Sequence, residues 1–191
     1  MSVMAMPDLD AWWSQERILT VDDMENMPDD EFRYELDDGV LIVSPAPANL
    51  HQLAVARLTV MLTAACPPGL VVLPGVGVNI NKFQHRVPDV AVVRDDGFGT
   101  MFQERPPELV VEVASPRTRL YDRNRKKDVY QSFAIPAYWI VDPDKDQFAL
   151  TVFELSEGEY AEVARVSGDE PFAARVPFAV TVVPRALVSL G

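Results

Sequence analysis

Two acidic residues occupy positions from which carboxylates could hold a metal ion. Asp89 comes directly before the apolar run 90–93, and Glu112 lies inside the apolar run 109–113. A carboxylate in a buried strand is costly when it is ionised and unpaired, so Glu112 must face solvent, pair with a base or bind a metal. Two carboxylates on neighbouring strands would provide the oxygen ligands that Mg²⁺ and Mn²⁺ prefer. The pair therefore raises the hypothesis of a metal-assisted reaction.

A lysine on a predicted helix could complete such a site. Lys126 and Tyr130 are four residues apart and share one helix face, with Phe133 close to the same stripe. Because the two aromatic side chains are expected to pack on the sheet, Lys126 is expected to point toward the carboxylates, whereas Lys127 lies roughly 100° away. The Lys126 ammonium could then orient an attacking hydroxide or stabilise charge on a phosphate. A solvated helix position is the alternative for Lys126.

Length and composition predict one soluble domain over residues 1–191. The 191 residues, 48% of them hydrophobic, are enough for one sizeable core. The single cysteine, Cys66, excludes an intramolecular disulfide and a cysteine-based zinc cluster. The first residues show no basic, apolar leader, and no run approaches the ~18 apolar residues of a membrane span. We therefore expect a cytoplasmic protein with no membrane contact.

The charge is acidic and unevenly distributed along the chain. The net charge of −12 excludes a basic protein that coats nucleic acid. Residues 1–38 hold twelve acids and two bases, whereas residues 115–131 hold six bases and two acids. The acidic segment is expected to be a solvated helix and loop, or a segment that docks a partner. The basic segment, just after Glu112, favours a local phosphate-facing surface, with an ordinary solvated helix as the alternative.

The order of predicted elements indicates an α/β (α+β) domain around a mixed sheet flanked by helices. Asp38-Gly39 between two β-rich runs predicts an N-terminal hairpin. Apolar residues at helical spacing predict a first helix over 49–65 and a second over about 121–133. Later β-rich runs predict a C-terminal β extension. The predicted core strands are 70–80, 87–93, 109–113 and 138–141.

Short motifs that follow one another along the chain carry a resemblance. They are Arg33-Tyr34-Glu35-Leu36 with Asp38-Gly39, Ser44-Pro45, His51-Gln52, Pro88-Asp89-Val90, Leu109-Val110-Val111-Glu112-Val113 with Ser115-Pro116, Tyr121-Asp122-Arg123, Lys126 with Tyr130, and Tyr138-Trp139-Ile140-Val141-Asp142-Pro143. Together they resemble the Uma-two family of restriction-endonuclease-like proteins, within the PD-(D/E)xK nuclease superfamily, over roughly residues 17–155. The resemblance implies a restriction-endonuclease-like core at about 49–142, in which a helix, a three-strand meander, a helix and a final strand follow one another.

The resemblance also implies a cofactor and roles for the central residues. It implies Mg²⁺ or Mn²⁺ held by Asp89 and Glu112, with the Val113 carbonyl as a further ligand and Lys126 as the catalytic lysine. The superfamily signature places a lysine two residues after the glutamate, but here Ala114 occupies that position. A nuclease of this sequence therefore needs its lysine from the helix.

Further polar residues surround this centre in the predicted site. Glu35 matches the family's hairpin motif, and His51 or Gln52 matches a first-helix position that often contributes a polar group. A histidine with no role and a helix-cap glutamine are the alternatives for that position. Four arginines after Glu112 are predicted to contact phosphates without reading sequence, or one of them to pair with Glu112: Arg117, Arg119, Arg123 and Arg125.

These predictions favour a metal-dependent endonuclease that hydrolyses DNA phosphodiester bonds. Its affinity for DNA is expected to be weak and local because the body of the protein is acidic. Many nucleases of the superfamily pair to cut both strands, so the resemblance is compatible with a homodimer. The alternative is a non-catalytic interaction protein that retains the nuclease fold. The sequence does not separate a DNA substrate from RNA.

Overall fold

Strands outnumber helices in the part of the chain that the structure describes. The structure, a computed structural model, describes residues 18–28, 30, 32–97, 100–115, 119–143 and 148–189. The helices are α1 (Val21–Met24), α2 (Asn49–Ala65), α3 (Arg119–Tyr121) and α4 (Lys127–Ser132), and a π-helical turn at Asp122–Lys126 joins α3 to α4. We name residues 119–132 the composite helix. The strands are β1 (Arg33–Asp37), β2 (Val40–Ser44), β3 (Leu70–Pro74), β4 (Val78–Asn81), β5 (Gln84–Arg86), β6 (Val90–Arg94), β7 (Leu109–Val113), β8 (Ala137–Asp142), β9 (Ala149–Ser156), β10 (Glu159–Ser167), β11 (Phe172–Ala174) and β12 (Val180–Val182).

A six-stranded mixed sheet forms the centre of the fold. Its strand order is β10-β9-β8-β7-β6-β3, in which β7 and β8 are parallel and the other neighbours are antiparallel. Strands β7 and β8 are buried along their whole length, as expected of strands that are covered on both faces. The predicted α+β class with a mixed sheet is confirmed.

The alternation of side chains along these strands divides the core into two layers. One face of the sheet carries Trp139 and packs against α2 through Leu58. The other face carries Ile140 and packs against the composite helix through Tyr130. Since side chains alternate along a strand, Glu112 of β7 lies on the face that the composite helix covers.

The N-terminal hairpin is confirmed at the predicted place. Strands β1 and β2 pair from Arg33 opposite Ser44 to Asp37 opposite Val40. The two turn residues, Asp38 and Gly39, have φ of 50° and 78°, the positive values that a two-residue type I′ turn requires. The hairpin belongs to a second sheet, with the order β2-β1-β5-β4.

The predicted single strand over 70–80 is wrong, because this run forms two strands of different sheets. Strand β3 lies in the six-stranded sheet, and β4 lies in the four-stranded sheet. Gly75, at a φ of 62°, interrupts the run directly after β3. The chain then leaves the core sheet as the β4–β5 hairpin, which pairs with β1 where Leu36 lies opposite His85.

The C-terminal part of the chain extends the core with further strands. Strands β9 and β10 form an antiparallel pair at one edge of the six-stranded sheet, and β11 and β12 form a separate pair. The predicted C-terminal β extension is confirmed. Residues 1–17, which hold part of the predicted acidic segment, lie outside the described residues. Within the described ranges, no helix has the length and apolar character needed to cross a bilayer.

His85 is a titratable group buried in the smaller sheet. It is 2% exposed, and its Nδ1 lies 2.7 Å from Oδ1 of Asn79. Burial, helped by the charge of Arg86 and opposed by that of Glu35, lowers the pKa of His85 from 6.5 to about 4. The folded protein therefore keeps this histidine neutral at pH values where the unfolded chain already binds a proton.

We expect His85→Asn to flatten the pH dependence of stability. Because the unfolded chain takes the proton first, His85 destabilises the fold as pH falls below about 6.5, and this loss is complete only near pH 4. Between about pH 7.5 and about pH 5, His85 lowers the free energy of unfolding of the wild type by about 2 kcal/mol. Urea denaturation of the wild type and of His85→Asn at these two pH values measures this change in the free energy of unfolding. The carboxylates titrate in both proteins, so equal pH slopes would contradict the role of His85.

Candidate active site

Asp89 and Glu112 lie opposite each other where two core strands separate. Strands β6 and β7 pair with Val90 opposite Val111, and Asp89 and Glu112 are the next positions in this register. At this position the Asp89 side chain acts as the hydrogen-bond acceptor for β7, since its Oδ2 accepts the Val113 N–H at 2.7 Å. Both carboxylates are buried. The structure thus brings the two predicted carboxylates together at one end of the two strands.

Lys126 reaches the same place from the composite helix. Its Nζ lies 2.9 Å from Oε1 of Glu112 and 3.9 Å from Oδ1 of Asp122. The Tyr130 hydroxyl donates to the same Glu112 oxygen at 2.5 Å, so Lys126 and Tyr130 share the face that their spacing predicts. Lys126 ends the π-helical turn, a local widening that is frequent at functional sites.

Glu35 brings a further carboxylate into the site from the hairpin. It is 4% exposed, and its Oε1 accepts the Val87 N–H at 2.9 Å. The same oxygen lies 3.5 Å from Nζ of Lys126. Although burial opposes its ionisation, the Lys126 charge and the Val87 N–H lower the pKa of Glu35. One lysine thus lies among three carboxylates that come from β1, β7 and the composite helix.

Two side chains hold Asp89 from outside the core sheet. Nη1 of Arg33 donates to Asp89 Oδ1 at 2.8 Å and to the Val87 carbonyl at 3.0 Å. Nε2 of His51 lies 3.1 Å from Asp89 Oδ2. The sequence-based prediction of site residues missed Arg33. The signal for it was the two-residue period of a strand, which places Arg33 on the face of β1 that carries Glu35.

His51 and Gln52 share the first turn of α2 but differ in burial. His51 is 8% exposed and contacts Asp89, whereas Gln52 is exposed. Nδ1 of His51 is buried and has no hydrogen-bond partner among the described residues. Of the two candidates for the first-helix position, His51 is therefore the one that the structure places in the site.

The surroundings are described for two of the four predicted phosphate-binding arginines, Arg123 and Arg125. Arg125 forms an ion pair with Asp37, in which Nη2 of Arg125 lies 2.6 Å from Oδ1 of Asp37. Arg123 is partly buried, and its Nε has no hydrogen-bond partner in the described ranges. Arg117 lies outside the described residues, and Arg119 is the first residue of α3. A phosphate-binding role for these four residues stays a prediction.

Different surroundings separate the pKa values of the two central carboxyl groups. Burial raises the pKa of Glu112, against the opposing charge of Lys126. Burial acts on Asp89 in the same direction, but the His51 hydrogen bond and the Arg33 charge outweigh it and lower the pKa of Asp89 to about 2. Burial disfavours the charged form of Lys126, yet the surrounding carboxylates raise its pKa. The two carboxyl groups thus have pKa shifts in opposite directions, and a charged lysine lies beside them.

One cavity joins these groups. Its volume is about 540 Å³, within the range of small-ligand pockets. A proline-containing loop, residues 45–48, contributes to its apolar lining. The charged and titratable residues of the lining are Arg33, Glu35, His51, Asp89, Glu112, Tyr121, Asp122 and Lys126.

The donor set at this cavity fits a hard divalent cation. Asp89 and Glu112 offer carboxylate oxygens, and the Val113 carbonyl faces the Asp89 side, because the N–H and C=O of one strand residue point the same way. Within the described residues, no three His, Cys, Asp or Glu side chains form a ready-made cage. Mg²⁺ does not need one, since one or two carboxylates bind it and waters and substrate phosphates complete its shell.

This chain is similar to a described protein family and to a solved structure. The Uma2 family, described as "Putative restriction endonuclease", matches residues 21–182. A crystal structure titled as "a putative nuclease belonging to DUF820" from Anabaena variabilis has a TM-score of 0.71 at 17% identity, and the match covers 89% of this chain and 97% of that chain. At this identity the likeness shows the fold alone. No curated protein matches the chain. Because the family match spans most of its length, the chain belongs to the Uma2 family.

Proposed function

We propose that this protein is a metal-dependent endonuclease that hydrolyses phosphodiester bonds in DNA. The observation that carries the proposal is the convergence of Asp89, Glu112 and Lys126 on one cavity wall. Membership in a family described as restriction endonucleases supports the reaction class. The oxygen donors favour Mg²⁺ or Mn²⁺ as the cofactor.

Each residue of the site has a distinct part in the proposed reaction. Asp89 and Glu112 would hold the cation, together with the Val113 carbonyl. A bound Mg²⁺ supplies Lewis-acid chemistry, by polarising a phosphate oxygen and lowering the pKa of water. Lys126 holds a positive charge in a buried place, where it stabilises negative charge that develops on the phosphate.

Positioning groups keep these residues in place. The Tyr130 hydroxyl and the Lys126 ammonium both contact Oε1 of Glu112, so they hold this carboxyl group in place. Glu35 accepts the Val87 N–H and lies beside Lys126, so it links the hairpin to the helix that carries the lysine. His51 contacts Asp89 through Nε2 and thereby fixes the direction of that carboxylate.

Nicking of a supercoiled plasmid in Mg²⁺, Mn²⁺ or EDTA tests the activity. We expect cleavage with either metal, none in EDTA, and loss of cleavage in Asp89→Asn. The matched control is Asp95→Asn, an exposed aspartate just after the other end of β6, which should cleave like the wild type. Activity that survives in Asp89→Asn would contradict the site, and a parallel single-stranded RNA substrate separates DNase from RNase activity.

Calorimetric titration with Mn²⁺ tests the metal site without reference to cleavage. We expect one saturable site that is lost in Glu112→Gln and kept in Glu108→Gln, a change just before β7 at a residue that pairs with Arg94. Absence of both Mn²⁺ binding and cleavage in the wild type would replace this proposal with a non-catalytic interaction protein of the same fold.

A further inference from the structure

Arg33 occupies one oxygen of a proposed metal ligand. Its Nη1 donates to Asp89 Oδ1 at 2.8 Å and to the Val87 carbonyl at 3.0 Å. The other oxygen, Oδ2, accepts the Val113 N–H at 2.7 Å and lies 3.1 Å from Nε2 of His51. Both oxygens are therefore engaged by protein groups. A carboxylate oxygen has two lone-pair sites, so a cation on Oδ1 would share that oxygen with the positively charged Arg33 guanidinium.

Arg33 is the partner that can leave at the lowest cost. The Val113 N–H is part of the β7 backbone, and the His51 side chain is 10% exposed in the first turn of α2. The Arg33 side chain is 26% exposed, and it extends on a long flexible stem into the cavity that also contains Lys126. A divalent cation on Asp89 would also repel the guanidinium, which favours its departure.

We propose that Arg33 exchanges partners during the reaction cycle. Its guanidinium neutralises Asp89 when no metal is bound, and it binds a phosphate of the substrate when a divalent cation occupies Asp89. This inference rests on the proposed function. Guanidinium groups suit such an exchange, because their planar fork of donors matches carboxylate and phosphate oxygens alike. After the exchange, Arg33 and Lys126 present two positive charges to the phosphate from the lining of one cavity.

The exchange has a consequence that separates it from a structural salt bridge. Removal of Arg33 removes a competitor of the metal, so metal binding becomes tighter. The same change removes a phosphate contact, so cleavage becomes slower. A residue that only maintained the shape of the site would lose metal affinity and cleavage together.

The test compares Arg33→Gln, Arg33→Lys and the wild-type protein. In calorimetric titration we expect Arg33→Gln to lower the Kd for Mn²⁺ by at least about fivefold, the effect of one unit charge at contact distance even in water. At saturating Mn²⁺, plasmid nicking by this variant is expected to fall about tenfold or more. Arg33→Lys keeps the charge without the fork, so its Kd should return toward the wild-type value. Arg57→Gln is the control, because Arg57 donates to the Ala186 carbonyl at an exposed site.

The possible failures are distinguishable. Unchanged or weaker Mn²⁺ affinity in a folded Arg33→Gln protein overturns the exchange and leaves the proposed function in place. A wild-type protein that neither binds Mn²⁺ nor cleaves overturns the proposed function and the exchange together. If Arg33→Gln does not fold, Arg33→Met gives the same readout with an apolar side chain of similar length.

Discussion

Replacement of Lys126 by methionine is expected to lower the rate of plasmid nicking by at least about 100-fold, the usual effect of removing one charge-stabilising donor. The Lys126 ammonium contacts Glu112 at 2.9 Å and Glu35 at 3.5 Å, and it is almost completely buried. Removing it leaves these carboxyl groups without their main counter-charge. We therefore also expect a loss of about 3 kcal/mol in the free energy of unfolding, measured by urea denaturation.

Two further variants separate catalysis from folding. Lys127→Met changes the next lysine, whose Nζ lies 4.8 Å from the centre of the Phe153 ring, and it should keep nicking activity and most stability. The double variant Lys126→Met/Glu112→Gln removes both members of a buried ion pair, so it should recover part of the lost stability. Its nicking should stay at the level of the single variant. Wild-type nicking by Lys126→Met, or recovery of nicking in the double variant, would contradict the role of Lys126.

Local sequence patterns were sufficient for most elements of the fold. The Asp38-Gly39 turn and strand β7 lie where the sequence predicts them, because turn chemistry and runs of β-branched residues are local signals. The division of the run 70–80 between two sheets was not predictable in the same way. Pro74-Gly75 is a local signal for the break between the two strands. The assignment of β4 to the second sheet, however, depends on the pairing of β5 with β1, where Leu36 lies opposite His85, and this distant pairing leaves no local pattern.

The same limit applies to the candidate site. The direction in which the Lys126 side chain points was predictable, because it follows from the spacing between Lys126 and Tyr130 within a single helix. Arg33 and its partner Asp89 are 56 residues apart. Their contact therefore depends on how the four-stranded sheet, which contains β1, packs beside the six-stranded sheet. The charge pattern predicts a phosphate-facing basic segment, and within this segment Arg125 binds an aspartate 88 residues away. A charge pattern alone does not show which charges are neutralised inside the fold.

Asp37 connects the hairpin to the composite helix through a network of charged and polar groups. Its carboxylate accepts hydrogen bonds from Arg86 at 2.7 Å, from Arg125 at 2.6 Å and from the Tyr121 hydroxyl at 2.9 Å. Arg86 is completely buried. Although burial opposes ionisation, these partners hold the pKa of Asp37 well below its usual range. The network fixes the helix that carries Lys126 relative to β1, which carries Glu35.

We expect Asp37→Asn to lower the free energy of unfolding at neutral pH by about 3 kcal/mol, because it leaves the buried Arg86 without its carboxylate. The control is Asp38→Asn in the same turn, since the Asp38 side chain is 74% exposed and exposed ion pairs contribute little.

Because its folded-state pKa is lowered, Asp37 stabilises the wild type above its unfolded pKa of about 4, and this contribution is lost at lower pH. The difference in stability between Asp37→Asn and the wild type should therefore narrow in acid. Equal losses in the two variants, or a difference that does not change with pH, would show that Asp37 does not join the two elements.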